Sequence, residues 1–371
     1  MNLELSAEQT QLRDTVRHWC AERAGIAEHV RPLLDDPSGT TAAVWQELAG
    51  LGATGVLVAE EHGGAGLGMV EAGVVAEELG AGLHPGPWLS TAVTAPRTLA
   101  RLGAADRAYV DKLLAGIADG TTITTVGPLR GDRPRAEGAT LHGTITALPD
   151  AAASGVLLVL ADTNDEIGLF TVDPTAAGVT VSPRPHIDPT HKLFDVELDG
   201  VAAQRLGTLS AADLEAVVAD VLIVSGADAL GAARAVLDSA VEYAKVRRQF
   251  GAPIGSFQSV AHLCVDMYET VELARGGVIH ALWAADGGAP ADARLAAQRI
   301  RAFAGRLATV GDTAIQVFGG IGFTWEHDAH LYLERLLGFS ALFGATDHYL
   351  EAVGRQLAER TLNEEVKPRT W

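Results

Sequence analysis

The chain has 371 residues, enough for two or three domains, and its 48% hydrophobic and 20% charged residues are typical of a globular protein. Asp and Glu outnumber Lys and Arg by 47 to 28, and this net charge of −19 excludes a broad polyanion-binding surface, so we expect no nucleic-acid partner. Uninterrupted apolar runs such as Val156–Ala161 are too short to span a bilayer, and the N-terminus lacks a secretory pattern. We therefore expect a cytoplasmic protein that does not enter a membrane.

Two cysteines, Cys20 and Cys264, both lie within helical patterns. Two thiols do not make a disulfide framework, and no Cys or His spacing fits a metal site. The sequence predicts two buried, reduced thiols and no bound metal.

The first segment, residues 1–120, has the pattern of helices. Ser6 followed by Gln9 predicts a capping box at the start of the first helix. The glycine-rich stretch Val56–Gly68 lacks the strand and helix of a nucleotide-binding fingerprint, so we interpret it as a backbone turn with positive φ angles. Helical pattern resumes at Val70 and continues to about Ala118.

The second segment, residues 121–205, has a different period. Short β-rich runs are separated by Gly, Pro, Asp and Asn, which indicates strands joined by turns and predicts a small β-barrel or sandwich domain. The predicted strands are Thr121–Val126, Thr140–Thr146, Val156–Ala161, Leu169–Val172, Val179–Ser182 and Phe194–Leu198.

The third segment, residues 206–371, is rich in Ala, Leu, Arg and Glu. Four long helical patterns, at about 211–247, 256–285, 291–317 and 328–360, have short connections and therefore predict an antiparallel four-helix bundle. The sequence thus predicts a mainly α protein with a central β domain.

A twelve-residue string, Arg247–Gln258, joins the first two bundle helices and reads RRQFGAPIGSFQ. Gly251 and Pro253 end one helix, Ser256 can cap the next, and an arginine in the last turn complements the helix dipole. The same string offers a guanidinium for a diphosphate, an aromatic face and a side-chain amide. Both a structural and a cofactor-binding role are open on these residues alone.

This string resembles the Arg-x-Gln-Phe-Gly-x-Pro-Ile-x-x-Phe-Gln signature of the acyl-CoA dehydrogenases and matches it at every fixed position. Gln316–Gly322 resembles a second string of that family, Gln-x-x-Gly-Gly-x-Gly. The resemblance implies an N-terminal helical domain (1–120), a β-barrel domain (121–205) and a C-terminal four-helix bundle (206–371). It also implies an FAD that is shared across a subunit interface, with one set of residues near it: Arg247, Gln249, Phe250, Phe257, Gln258, Gln316, Gly319 and Gly320.

The family's catalytic glutamate is missing at both positions where its members carry it. The position near the C-terminus falls on Gly344, and the alternative position, on the first bundle helix, falls on Val221. Leu222 replaces an arginine that some members use near the substrate. The resemblance therefore implies that this chain has no catalytic base of its own.

The residues that would face the chain's own flavin also depart from the family. Where the family has Thr-Glu-Pro-x-x-Gly-Ser-Asp, this chain reads Val126–Asp132, and Thr144–Pro149 replaces the family's Trp-Ile-Thr strand. Residues that reach towards a neighbouring chain are intact, whereas those facing the chain's own site are not. This asymmetry resembles the partner subunits of the α2β2 acyl-CoA dehydrogenases of actinobacterial steroid side-chain degradation.

The predicted function is therefore an FAD-sharing, non-catalytic subunit paired with a homologous chain that carries the glutamate. That partner would hold most of the acyl-CoA, and an electron-transfer flavoprotein is the expected acceptor. Two alternatives stay open. One is an active homotetramer with another base, Asp220 or Asp347; the other is a flavin-binding relative with different chemistry.

Overall fold

The computed structural model describes residues 4–103, 106–164 and 166–365, with side chains up to residue 359. The last residues of the predicted bundle domain, 366–371, lie outside the described residues. Helices come first, strands follow, and long helices complete the chain. The mainly α fold with a central β domain is confirmed, while the domain boundaries at 120 and 205 stay predictions.

The N-terminal helices begin where the sequence signals them. The Ser6 hydroxyl accepts from the Gln9 backbone N–H at 3.2 Å and the Gln9 side chain accepts from the Ser6 N–H at 2.9 Å, so the predicted capping box is confirmed. Gly63 and Gly66 have φ angles of 81° and 61°, as a turn requires. A π-helical turn, Leu89–Thr94, leads into the fourth of five helices: α1 (Ala7–Arg23), α2 (Ala42–Gly50), α3 (Met69–Ala81), α4 (Ala95–Leu99) and α5 (Arg107–Ala118).

Eight strands form one sheet: β1 (Thr124–Gly127), β2 (Arg135–Glu137), β3 (Thr140–Pro149), β4 (Val156–Asp162), β5 (Ile167–Val172), β6 (Val179–Arg184), β7 (Leu193–Ala202) and β8 (Gln204–Leu209). Their order is β6-β7-β3-β2-β4-β5-β8, and β1 pairs with β4 in parallel. All six predicted strands are present, whereas β2 and β8 were not predicted. Strand β4 is buried on both faces: Leu158 and Leu160 join the large helical core, while Leu157 and Val159 join a second core within the sheet.

The C-terminal region has five helices: α6 (Ala211–Val246), α7 (Gln258–Gly287), α8 (Pro290–Phe318), α9 (Ala329–Ala341) and α10 (Thr346–Glu365). The first three confirm the predicted helices. The single helix predicted at 328–360 is wrong, because the chain turns at Phe343 (φ 54°) and Gly344 (φ 112°). The buried Arg301 stabilises this turn by donating to the carbonyls of Leu342 and Gly344 at 2.9 and 2.6 Å.

Helix α6 is the central helix of the core. By length and composition it could cross a membrane, although no uninterrupted apolar run in the sequence indicated this. However, 89% of its most apolar stretch is buried inside the fold. It packs backbone against backbone on α3, since a Cβ on Gly80 would lie 2.0 Å from the Asp228 carbonyl oxygen. A Cβ on Gly231 would likewise lie 1.8 Å from the Glu77 carbonyl oxygen. Glycine at both positions is therefore a packing requirement.

One buried guanidinium connects three parts of the chain. Arg335 on α9 is 1% exposed and lies 2.8 Å from a carboxylate oxygen of Asp228 on α6. Its Nε lies 3.3 Å from the Asp188 carboxylate and donates to the Thr190 hydroxyl at 3.0 Å, both in the segment before β7. Its Nη2 donates to the carbonyl of His84, after α3, at 3.0 Å. The N-terminal helices, the sheet and the C-terminal helices therefore meet at Arg335.

The charges of this cluster compensate one another. Burial alone would raise the pKa of Asp188, but His191 and Arg335 hold that pKa well below the usual range. Asp188 is thus ionised beside a buried cation, and removal of Arg335 would leave the buried Asp188 carboxylate with His191 as its remaining ion-pair partner.

We expect Arg335→Met to lower the free energy of unfolding by about 3–5 kcal/mol, because it leaves two carboxylates without their buried cation. Arg184→Met is the matched control, since Arg184 pairs with Asp195 on the surface and its loss should cost less than about 1 kcal/mol. Urea unfolding of both purified variants measures the difference. Equal losses for the two would show that the buried cluster has no special role in stability.

Candidate functional site

The signature string forms a tight hairpin at the C-terminal end of α6. The Arg247 N–H still donates to the Tyr243 carbonyl at 2.9 Å, and then β9 (Arg248–Gln249) pairs antiparallel with β10 (Ala252–Pro253). The turn between them has positive φ at Phe250 (51°) and Gly251 (81°). A left-handed backbone at a phenylalanine is uncommon and costs free energy, so this turn holds Phe250 in a disfavoured conformation.

The side chains of this hairpin face outwards. Phe250 is 94% exposed, and within the chain its ring meets the edge of Phe257, 6.1 Å between centroids. Arg247 is exposed, and its guanidinium has no hydrogen bond or ion pair among the described residues. Gln249 and Gln258 are exposed as well. An unpaired guanidinium and an exposed aromatic ring on one turn are typical of a surface that binds a ligand or another protein chain.

The second string lies at the end of α8. Gln316, Gly319 and Gly320 are exposed, and Gly319 has φ 67° and ψ −145°, a conformation largely restricted to glycine. A Cβ on Gly319 or Gly320 would meet nothing within 4 Å. Among the described residues, therefore, no neighbouring group comes close enough to Gly320 to require a glycine there.

The two strings lie at the same end of the bundle. The rings of Tyr243, near the end of α6, and Phe318, at the end of α8, are 5.2 Å apart. The residues that follow these two rings along the chain include exposed apolar side chains, which with the two strings we call the bundle-end surface: Val246, Phe250, Ile321, Phe323 and Trp325. The structure thus brings together the residues that the sequence predicted, and it adds Phe323 and Trp325, 72% and 67% exposed, which sequence reasoning missed.

Neither predicted base position can accept a proton in the structure. Gly344 has no neighbouring atom within 4 Å of where its Cβ would be, and Val221 is a buried apolar side chain on α6. Leu222 is buried beside it.

The nearby carboxylates have other roles. Asp220 is 2% exposed and accepts from Arg97 Nε at 2.7 Å and Arg101 Nη2 at 2.8 Å. Burial lowers the pKa of Arg101, although Asp220 opposes this effect. Asp220 is therefore a buried partner of two arginines, and its carboxylate is not exposed for contact with a substrate. Asp347 is exposed on the surface of α10.

The segments that would face the chain's own flavin combine buried apolar positions with exposed polar ones. A Cβ on Gly127 would lie 2.5 Å from Leu148 Cδ1, so β3 closes over this residue. Arg130 is paired with Glu215 on α6, with its Nη2 2.8 Å from the carboxylate. The cation of these segments, Arg130, is therefore already paired, unlike Arg247, while Asp132, Thr144 and Thr146 are exposed polar side chains.

The two cysteines, which the sequence predicted to be buried, have different surroundings in the structure. Burial raises the pKa of the Cys20 thiol to about 12, as expected for an unreactive core cysteine. Cys264 is only half-buried, so the prediction of two buried thiols is wrong for this residue. Among the described residues no group of three or more His, Cys, Asp or Glu could hold a metal ion.

The chain belongs to the acyl-CoA dehydrogenase family. Residues 6–121 match the model of the acyl-CoA dehydrogenase N-terminal domain and residues 223–358 that of the C-terminal domain. The acyl-CoA dehydrogenase IpdE2 of Mycobacterium tuberculosis is 32% identical over 95% of this chain and 98% of its own length. The family is FAD-dependent and its members are oxidoreductases.

Among further similar proteins, one is named as a steroid ACAD and another as a complex of two chains. FadE34 of Mycobacterium tuberculosis is 36% identical over 93% of this chain, which spans only 47% of that protein. A solved structure of a variant of the Tcur3481-Tcur3483 steroid ACAD is 30% identical, with a TM-score of 0.84 over 96% of this chain and 99% of that one. The ChsE4-ChsE5 complex from Mycobacterium tuberculosis is 26% identical, with a TM-score of 0.87 over 97% and 99%.

The bundle-end surface fits part of a flavin dinucleotide. A diphosphate needs a cation that is not already paired, and Arg247 offers one. Open space above Gly319 and Gly320 leaves room for a flat group near the backbone. The chain's own side offers no such unpaired group in the segments that the family uses, so the fit is restricted to the outward face.

Proposed function

We propose that this chain is the non-catalytic, FAD-sharing subunit of a heteromeric acyl-CoA dehydrogenase. Its bundle-end surface would complete a flavin site whose remaining residues, and whose catalytic glutamate, belong to a homologous partner. The observation that carries this proposal is the combination of an exposed, unpaired Arg247 with Gly344 and Val221 at both base positions.

The chemistry requires a base that this chain does not offer. Bound FAD would accept a hydride from the acyl β-carbon, and a base must remove the α-proton, a contribution of about 10²–10⁴-fold to the rate. Asp220, the residue nearest in sequence to a base position, is held by Arg97 and Arg101. An active homotetramer that uses Asp220 or Asp347 is therefore the weaker alternative.

The role of this chain's residues would be to hold and position the cofactor. Arg247 would pair with the diphosphate, and Phe250 and Gln258 would line the same cleft. Gly319 and Gly320 would let the adenosine side approach the backbone. The name of one similar structure, a steroid ACAD, supports a CoA thioester derived from a steroid as the substrate. The partner would bind most of that thioester, and an electron-transfer flavoprotein would be the acceptor.

We expect the pure chain alone to carry little FAD and to have no dehydrogenase activity towards acyl-CoA thioesters. Gly344→Glu alone should not create activity, because φ 112° disfavours a glutamate there and the chain's own flavin-facing segments lack the family's residues. Flavin absorbance and reduction of a ferrocenium acceptor measure both quantities. Robust turnover by the lone chain would contradict the proposal.

Arg247→Ala should lower the affinity of the complex for FAD about tenfold to a hundredfold, because one charge-assisted contact is lost, worth about 1.5–3 kcal/mol. Lys245→Ala is the matched control, since Lys245 lies in the last turn of the same helix and pairs with Glu242. Flavin retained after gel filtration of each complex is the measurement. If both variants keep the parent's flavin, Arg247 only complements the helix dipole.

A further inference from the structure

Two histidines are stacked inside the fold close to Arg335. His29 follows α1 and His84 follows α3, and both residues are buried. The centroids of their rings are 5.6 Å apart, and the ring planes are only 13° from parallel. The ring of Trp19 on α1 meets the ring of His84 edge-on, also with 5.6 Å between centroids. We call His29 and His84 the histidine pair.

The surroundings of the histidine pair favour neutral rings. Neither ring nitrogen of His84 has a hydrogen-bond partner among the described residues, and the same is true of Nε2 of His29. A Cβ on Gly86 would lie 2.7 Å from His84 Nε2, so the backbone packs directly against this nitrogen. A protonated imidazole carries a charge and two N–H donors, and burying it without acceptors is strongly unfavourable.

The charged groups around the histidine pair do not favour a proton on it. The guanidinium of Arg335 comes from α9 and the ring of His191 from the segment before β7, and both oppose protonation of His84. The carboxylates of the same cluster, Asp188 and Asp228, lie 3.3 and 2.8 Å from Arg335 and are paired with it. A proton on the histidine pair would therefore add positive charge to a buried region that already holds a cation.

These surroundings lower the pKa of both rings. Burial, with smaller effects from His29 and Arg335, lowers the pKa of His84 from 6.5 to about 3, and burial also lowers the pKa of His29. When the segment leaves the interior, each ring regains an ordinary pKa near about 6.5. As the pH falls below this value, the released form takes up protons that the packed form does not accept. Acid therefore shifts the equilibrium towards release.

We propose that the histidine pair is a pH-dependent switch that releases the segment after α3 from the C-terminal helices in acid. The ring and the backbone of His84 are linked in this switch, because the ring is buried while the carbonyl accepts from Arg335 Nη2 at 3.0 Å. A protonated ring is solvated only when it leaves the interior, and the carbonyl leaves with it. Protonation therefore removes a contact by which Arg335 on α9 holds the N-terminal helices.

Other ionisable groups near Arg335 respond differently to pH. Burial raises the pKa of Asp150 to about 6, so this carboxyl takes up a proton more easily in the folded chain and opposes release. His191 and Arg335 hold the pKa of Asp188 below its usual range, so the stability that this carboxylate contributes is lost only below about pH 4. Lys192 is a further buried cation of the region. All of these groups are unchanged in the variants compared below, so the comparison isolates the histidine pair.

The test is hydrogen exchange of the full chain at pH 7.5 and pH 5.0, corrected for the intrinsic exchange rates. One histidine that regains an ordinary pKa on release raises the opening equilibrium constant about thirtyfold over this range. We expect the amides of residues 79–88 to lose protection by about that factor or more. The buried middle of α8 should stay protected at both pH values, because the rest of the chain remains folded.

Two leucine substitutions make the comparison specific. His84→Leu removes the titrating ring, so it should reduce the acid-induced loss of protection in residues 79–88 about tenfold or more. His18→Leu is the matched control, since His18 is exposed on α1 beside Trp19, and it should leave that loss within about twofold. Circular dichroism at pH 7.5 checks that both variants fold. Should His84→Leu misfold, His29→Leu removes the other ring of the pair and has the same expected result.

Two results would overturn the switch. If acid reduces the protection of residues 79–88 equally in the parent and in His84→Leu, the buried ring has only a structural role. If α8 loses its protection together with residues 79–88, acid unfolds the whole chain instead of releasing one segment. Neither flavin nor a partner chain enters this comparison, so its outcome does not depend on the function proposed above.

Discussion

The junction between the three parts of the chain depends on one buried cation, Arg335. Arg335 projects from α9 into a space bounded by α6, the segment before β7 and the turn after α3, and it meets a carboxylate or carbonyl from each of them. A buried guanidinium requires these partners in place, since each lost partner leaves an uncompensated charge. The sheet and the N-terminal helices are therefore held against the C-terminal helices at Arg335.

The hairpin between α6 and α7 presents the groups that the proposed complex needs at its shared flavin site. Phe250 is held at φ 51° by the hairpin between α6 and α7, and Arg247 stands beside it with no partner in the described chain. The residues on the chain's own side of the site differ. Asp220 forms ion pairs with two arginines, and the side chain of Leu148 packs against Gly127. A cofactor contact that is useful to another chain needs an exposed group on a rigid element, whereas a catalytic site needs a base and a cavity. The bundle-end surface meets the first requirement, and Gly344 and Val221 leave the family's two base positions without a carboxylate.

Elements with strong local signals could be predicted from the sequence, and elements set by tertiary contacts could not. The capping box at Ser6 and the three helices α6, α7 and α8 follow from side-chain chemistry and periodicity. The break between α9 and α10 does not, because it depends on Arg301, some forty residues earlier, donating to the carbonyls of the turn. Strand β2 has only three residues, too few for a pattern to be visible. The motif strings identified the bundle-end surface, but Phe323 and Trp325 were recognisable as part of it only once their exposure was known.

The central claim is that one flavin site is divided between this chain and a glutamate-bearing homologue. Two identical copies would join two halves that lack a base, whereas an unlike pair forms one complete site. The most direct test is native mass spectrometry of the co-expressed pair, with flavin quantified against protein. We expect an α2β2 tetramer with two flavins. Four flavins per tetramer, or a catalytically competent homotetramer of this chain, would contradict it.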